Sequence, residues 1–449
     1  MPALKGTLTS KHLNKGIIKD APPYEHLSRI QSLPEIKKSV TGSVKAIILL
    51  ADFPDYSWDT QQDPNFINPI NEPGFEGLYQ TSYYEEMLFS IHSFKDPYSQ
   101  SLITGSMRDY YVENSYGQFD VDGTVTAWYT VSQPYSYYSN HDGLPNTSDD
   151  YGLNSGYVFL KSFIHEVLEL ADADIDFSEF DEDGDNVVDA LFIVHAGPGA
   201  EELYISSYDA HFNYFWSHQA SVQYQTADGI KVGRYTIEPQ NGTIGVFCHE
   251  FGHTLGLPDL YDTDRSSEGI GEWGLMASGG WCHLPGDRFG TRPSHFTAWS
   301  KMRLGWLQPQ MVRSGSNSYR LPPVESEPFA IQVWNDSMST NLSDPDEYFL
   351  LENRQNQLFD AALTRRQVDF NRPLANGLII YHVNKNRFHN SDDSRRLIDV
   401  EEASPILIND TWFEQLDSPR DLSSYQFLNF GNRGITATPF LAIPIGMKI

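Results

Sequence analysis

The chain has 449 residues, and its 60 Asp and Glu against 31 Lys and Arg leave a net charge of −29, which argues against nucleic acid or an anionic membrane surface as a partner. Hydrophobic residues make up 40% of it, with 26 Phe, 25 Tyr and 9 Trp, enough apolar surface for two or three packed domains. No stretch approaches the roughly 20 consecutive apolar residues of a membrane-spanning helix.

Residues 1–43 are Lys-rich, contain Pro22-Pro23 and show little periodicity, so they read as a leader or propeptide-like segment. The opening Met1-Pro2-Ala3-Leu4-Lys5 lacks the apolar core of a signal peptide. From residue 44 to about 309 strand and helix patterns alternate, which predicts an α/β domain. The apolar run 44–50, followed by Asp52-Phe53-Pro54-Asp55, predicts a buried strand and a turn; residues 157–170 carry apolar side chains at helical spacing; residues 191–194 predict a second strand.

Between the last two lies Asp181-Glu182-Asp183-Gly184-Asp185-Asn186-Val187-Val188-Asp189. Carboxylates at alternate positions around a glycine suit a hard cation, so Asp181, Asp183, Asp185 and Asp189 are candidate ligands of a structural Ca²⁺. The loop is an incomplete EF-hand, because its twelfth position is Phe192 and no second helix follows; a solvated acidic turn is the alternative reading.

The chemistry concentrates at His249-Glu250-Phe251-Gly252-His253, an HExxH pattern. On a helix starting near Gly245, His249 and His253 share a face and can reach one zinc ion, with Glu250 beside them as general base. Gly256 suits a chain leaving the helix through a positive φ, and Pro258 cannot continue it. The turn can bring Asp259 back as a third ligand, leaving a fourth position for water. Zinc would lower the pKa of that water from 15.7 to about 7, and Glu250 would pass its proton to the leaving amine. Downstream, Gly274-Leu275-Met276-Ala277-Ser278-Gly279-Gly280-Trp281 is a glycine-rich turn centred on a methionine.

Beyond residue 309 the pattern turns β-rich, with predicted strands at 329–334, 348–352, 378–383 and 405–408 and a polar loop Asn390-Ser391-Asp392-Asp393-Ser394. Residues 310–449 are therefore expected to form a sandwich-like C-terminal domain. No repeat or low-complexity tract interrupts the chain.

HExxHxxGxxD with its methionine turn resembles the metzincin zinc peptidases, Met276 standing in the Met-turn position. The chain is more specifically similar to the immune inhibitor A (M6) family of secreted bacterial metallopeptidases. That similarity rests on CHEFGHTLGLPDLYDTD at 248–264, GEWGLMASGGW at 271–281 and RPSHFTAWSKMRLGW at 292–306, with FDEDGDNVVDALFIVHAGPG, YFLLENRQ and GLIIYHV around them. The resemblance implies a metzincin-like α/β catalytic domain, one catalytic zinc, protein or peptide substrates and export from the cell; the chain is read as a monomer. Most metzincins have His where this chain has Asp259, although related zinc peptidases carry Asp there. The position that holds an oxyanion-stabilising Tyr in some metzincins is Ser278, which leaves Tyr261 and His283 as candidates by proximity. Residues 281–284 are the expected wall of the S1′ pocket.

In such a fold the segments of Cys248 and Cys282 stack, which makes a disulfide between them a candidate; two buried thiols, or a thiol competing for zinc, are the alternatives. Two other functions share these residues: a zinc hydrolase of non-peptide amides, and a silent binding protein on a peptidase scaffold. The intact Glu250 argues against the second.

Overall fold

The computed structural model describes residues 39–60, 75–92, 94–98, 101–102, 104–140, 142–144, 150–153, 158–201, 213–263, 267, 269–312, 315–334, 345–363, 376–392, 395–401 and 440–445. Most of the leader-like segment and the strand expected at 405–408 lie outside these residues. Where the description begins, the Val40 N–H donates to the Leu304 carbonyl at 2.9 Å.

The apolar run found in the sequence is the middle of β1 (Gly42–Asp52), in which residues 46–51 are all 0% exposed. It is buried on both faces because it pairs in parallel on both sides, with β4 (Phe119–Thr130) and with β5 (Ala190–His195). The sheet is completed by β7 (Lys231–Pro239), parallel to β5, and by the antiparallel edge strand β6 (His218–Gln225), in the order β4-β1-β5-β7-β6. A short hairpin, β2 (Lys95–Asp96) with β3 (Ser101–Leu102), lies outside this sheet.

The two-residue period of β1 divides the interior into two cores. Ile47, Leu49 and Ala51 face one, which is capped by α4 (Val158–Ala171) through Leu160, Phe163, Ile164, Val167 and Leu168, while α3 (Tyr135–Ser139) adds Tyr135 and Tyr138. Ala46, Ile48 and Leu50 face the other, lined by α1 (Thr81–Phe89), α2 (Met107–Asn114) and α5 (Ile244–Thr254). The HExxH helix is thus pressed against the sheet by its apolar side.

That second core does not end with the catalytic region. It runs through α6 (Ala298–Leu304) into one face of a second sheet, ordered β13-β12-β11-β10-β8, through Tyr348, Leu350, Tyr381, Val383, Ile398 and Val400. These strands are β8 (Gln310–Val312), β10 (Ile331–Val333), β11 (Glu347–Arg354), β12 (Gly377–Asn384) and β13 (Ile398–Val400). The opposite face carries a smaller core of Val312, Leu321, Ile331 and Leu351, and β9 (Gly315–Arg320) pairs separately with β14 (Phe440–Ile445). Described residues from both sides of residue 309 therefore share one apolar interior.

A buried ionic cluster reinforces the junction. Arg354, at the end of β11 and 0% exposed, donates two 2.7 Å hydrogen bonds to Asp360 and one of 3.1 Å to Glu352. Its remaining donor capacity reaches the Trp273 carbonyl at 2.9 Å, just before the methionine turn, and the His295 carbonyl at 3.5 Å. Glu352 in turn accepts the N–H of Ala298 at the start of α6 and the hydroxyl of Tyr381. Removing one partner of such a cluster leaves charge buried without compensation, so Arg354→Met is expected to lower the unfolding free energy by about 3–5 kcal/mol in urea titrations. A loss below about 1 kcal/mol would show that the cluster is not a strut.

Candidate metal centre and active site

The HExxH stretch occupies α5 from its middle to its last turn. The helix stops where the sequence predicts. Gly256 has φ 99°, its N–H donates to the His253 carbonyl at 2.9 Å, and the Leu257 N–H donates to the Gly252 carbonyl at 3.0 Å. This pair of bonds is a Schellman motif, which closes the last carbonyls and reverses the chain. The reversal brings Asp259 back over the helix.

Asp259 Oδ1 lies 3.2 Å from both His249 Nε2 and His253 Nε2, and the two imidazole planes stand at 87° with centroids 4.8 Å apart. The three side chains are only 15%, 18% and 20% exposed, so the group sits in a recess with one open side. Each imidazole is fixed from behind. His249 Nδ1 lies 2.9 Å from the Leu275 carbonyl and His253 Nδ1 2.8 Å from the Leu257 carbonyl, so both Nδ1 atoms carry the proton and both Nε2 lone pairs face Asp259. Two lone pairs and a carboxylate oxygen turned on one point repel each other unless a cation stands between them, and that donor set suits zinc.

Met276 lies beneath the helix and is 0% exposed. A Cβ on Gly252, between the two histidines, would fall 2.6 Å from its Sδ, so glycine lets the methionine approach the helix this closely without shifting. Leu275, the residue before it, supplies the carbonyl that orients His249.

Glu250 is buried, 6% exposed, and lies close enough to His249 and Asp259 to interact with both. It accepts the backbone N–H of Gln219 from edge strand β6, and its Oε2 is buried without a partner among the described residues. Burial pushes its pKa up to about 8, Asp259 and Glu201 adding to the rise while His249 and the Gln219 N–H oppose it. Two further carboxyls stand behind it, and neither was singled out from the sequence. Glu201 accepts the N–H and hydroxyl of Ser217, whereas Glu238 of β7 is 0% exposed, with neither oxygen hydrogen-bonded among the described residues, its pKa held well above the usual range mainly by burial. The signal for Glu238 was a charge inside the otherwise apolar end of a strand.

Of the two oxyanion candidates, Tyr261 stacks on His249 with centroids 6.3 Å apart, while His283 is buried edge-on against Phe289 at 4.4 Å. Tyr261 is the one in contact with a donor.

Of the alternatives for Cys248 and Cys282, the structure has two buried thiols and no disulfide between them. Cys248 lies in the core below α5 beside Tyr110 and Tyr111 of α2, and Cys282 is outside that cluster, in the segment after the methionine turn. The segments do meet, but at Gly245 and Gly280: a Cβ on Gly245 would lie 2.0 Å from the Gly280 carbonyl oxygen.

In the acidic loop, Asp181, Asp183 and Asp185 each present a carboxylate oxygen within 4.8 Å of the others. Asp181 accepts N–H bonds from Gly184, Asp185 and Asn186, a nest that turns the chain, and Asp189 accepts the Glu182 N–H at 2.8 Å. Asp189 stands apart from the other three as a potential ligand.

Residues 35–312 match the family described as Immune inhibitor A peptidase M6, catalytic domain. The chain belongs to the M6 peptidase family. It is 32% identical over 292 residues to the pre-pro-metalloprotease PrtV of Vibrio cholerae serotype O1, an alignment covering 58% of this chain and 29% of that protein. It is 31% identical over 317 residues to immune inhibitor A of Bacillus thuringiensis subsp. alesti, covering 61% of this chain and 42% of that one. The chain thus spans less than half the length of these curated relatives. Among the described residues no helix is long and apolar enough to cross a membrane.

Burial first, and then its three neighbouring aspartates, push the Asp189 pKa up to about 6, against the Glu182 N–H that lowers it. A carboxyl raised on folding from about 3.9 favours the folded state at low pH and loses that contribution as pH climbs through about 6. In calcium-free buffer, the thermal midpoint of the native chain relative to Asp189→Asn is therefore expected to fall between pH 4 and pH 6.5. A difference that stays flat across that window would contradict this placement of Asp189.

Proposed function

We propose that this chain is a zinc-dependent endopeptidase that hydrolyses peptide bonds of protein substrates, with Glu250 as general base. The observation that carries the reading is the convergence of His249 Nε2, His253 Nε2 and Asp259 Oδ1 beside a recessed carboxyl. Those three atoms would hold the ion. Bound zinc supplies two things: an acidified water, its pKa lowered from 15.7 to about 7, and polarisation of the scissile carbonyl. Glu250 does the proton work. Its carboxylate, anchored through the Gln219 N–H, takes the proton of the attacking water and returns it to the departing amine. Tyr261, lying over His249, is the group we assign to the developing oxyanion.

The same reading extends to the rest of the molecule. The catalytic unit is taken as residues 44–309 on a metzincin-like plan, with Met276 as its Met-turn and 310–449 as the β-rich, sandwich-like unit packed on it. Residues 1–43 are assigned to a propeptide-like segment. Asp181, Asp183 and Asp185 are assigned as ligands of a structural Ca²⁺ that offsets repulsion among them and with Asp189. Export from the cell and a monomeric state complete the proposal.

Glu250→Gln is expected to keep its zinc, measured by metal analysis, while kcat on casein falls by roughly 10²–10⁴. Full peptidase activity in that variant would overturn the assignment, and cleavage of simple amides without casein would favour the non-peptide hydrolase. Calorimetric titration of the zinc-loaded chain with Ca²⁺ is expected to show uptake that Asp183→Asn weakens; no uptake would remove the calcium assignment.

A further inference from the structure

The third donor sits on a stretch without regular structure, residues 257–260, so a few bonds decide where its carboxylate lies. Leu260, the next residue, is 0% exposed and is gripped from two sides. Its N–H donates to the Met276 carbonyl at 2.7 Å, tying the Asp259–Leu260 peptide to the methionine turn. Its carbonyl accepts the Ile270 N–H at 3.1 Å and, at 2.7 Å, the side-chain amide of Asn390.

Asn390 belongs to the connection between β12 and β13, beyond the residues 35–312 that match the catalytic-domain family. It is 0% exposed, and its orientation is unambiguous. The Ile398 N–H, at the start of β13, donates to its Oδ1 at 3.0 Å, so the atom facing the Leu260 carbonyl must be the Nδ2 donor. Beside it, the Ser391 hydroxyl meets the Thr263 hydroxyl. The polar loop of the C-terminal sheet thus holds the chain immediately after Asp259 at two points.

We infer that Asn390 is a positioning residue for Asp259, so that the C-terminal sheet completes the metal centre and does more than cover it. The inference rests on the reading of Asp259 as a metal ligand. Without the Asn390 amide, the Leu260 carbonyl keeps one bond and the Asp259 carboxylate is free to swing out of the point shared by the two imidazoles. Groups that orient a ligand from behind typically change metal affinity by about 10–100-fold when removed.

The test is zinc affinity of the full chain, read by competition with a chromophoric chelator, for Asn390→Ala, Asp259→Ala and the double variant. The visible spectrum of the Co²⁺-substituted protein serves as a second readout. Expected is a zinc affinity about 10-fold weaker in Asn390→Ala with an altered Co²⁺ spectrum, and a much smaller effect of the same change when Asp259 is already absent. Asn390→Ser, which keeps a short donor, should recover part of the loss, and it carries the same comparison if the alanine variant does not fold. Native affinity and spectrum in Asn390→Ala, beside a clear loss in Asp259→Ala, would overturn the inference and leave the three-donor reading standing. An equal loss with and without Asp259 would overturn it too, because it would mark general loosening. Unchanged affinity in Asp259→Ala would remove both.

Discussion

Both imidazoles of the HExxH helix donate their Nδ1 hydrogens to backbone carbonyls, of Leu275 and of Leu257, and the architecture around them keeps those two carbonyls in place. A neutral imidazole offers one lone pair, and the hydrogen bond on its far nitrogen decides where that lone pair points. Leu257 is fixed because the Schellman turn at Gly256 binds its N–H to Gly252. Leu275 is fixed because its own N–H donates to the His295 carbonyl, which with the Trp273 carbonyl also receives the Arg354 guanidinium. The orientation of one histidine therefore depends on the local end of a helix, and that of the other on a salt-bridge cluster contributed by the second sheet.

The recess behind the helix has a different electrostatic character. Burial dominates the raised pKa of Glu250, Glu201 and Glu238; Glu201 adds to the rise at the other two and Glu250 to that at Glu238, and among the described residues no arginine or lysine is paired with them. A carboxyl in such surroundings resists carrying charge until a cation stands nearby. Under the proposed reading, a divalent ion on the three donors is what makes an ionised base next to it affordable. The edge strand contributes as well, since the Gln219 N–H fixes one end of Glu250.

Much of this centre was legible in the sequence because its determinants are local. The i, i+4 spacing of His249 and His253, the glycine at 256 and the proline at 258 act within one helix and its exit, and the structure has each element where the spacing predicts it. The apolar run in residues 44–50 predicted a buried strand for the same reason, and the strand is buried on both faces. What sequence could not supply was contact between distant segments. Glu238 meets Glu250 because β7 packs against α5, Glu201 because it is tied to Ser217 just ahead of β6, and Asn390 reads as an ordinary polar loop until β12 and β13 fold it against Leu260. The cysteines show the limit from the other side: their segments do approach, yet the contact point is a pair of glycines and Cys248 turns towards the tyrosines of α2. One apolar face of the second sheet continues the core beneath the HExxH helix, a partner that strand patterning alone cannot assign.

The central claim is that His249, His253 and Asp259 hold a single zinc ion. Metal analysis of the purified chain, combined with anomalous scattering from crystals on both sides of the zinc absorption edge, tests it most directly. The account predicts about one zinc per chain, with one anomalous peak bonded to both Nε2 atoms and to an Asp259 oxygen at about 2.0–2.2 Å. A peak elsewhere, or one from which the Asp259 carboxylate is turned away, would contradict it.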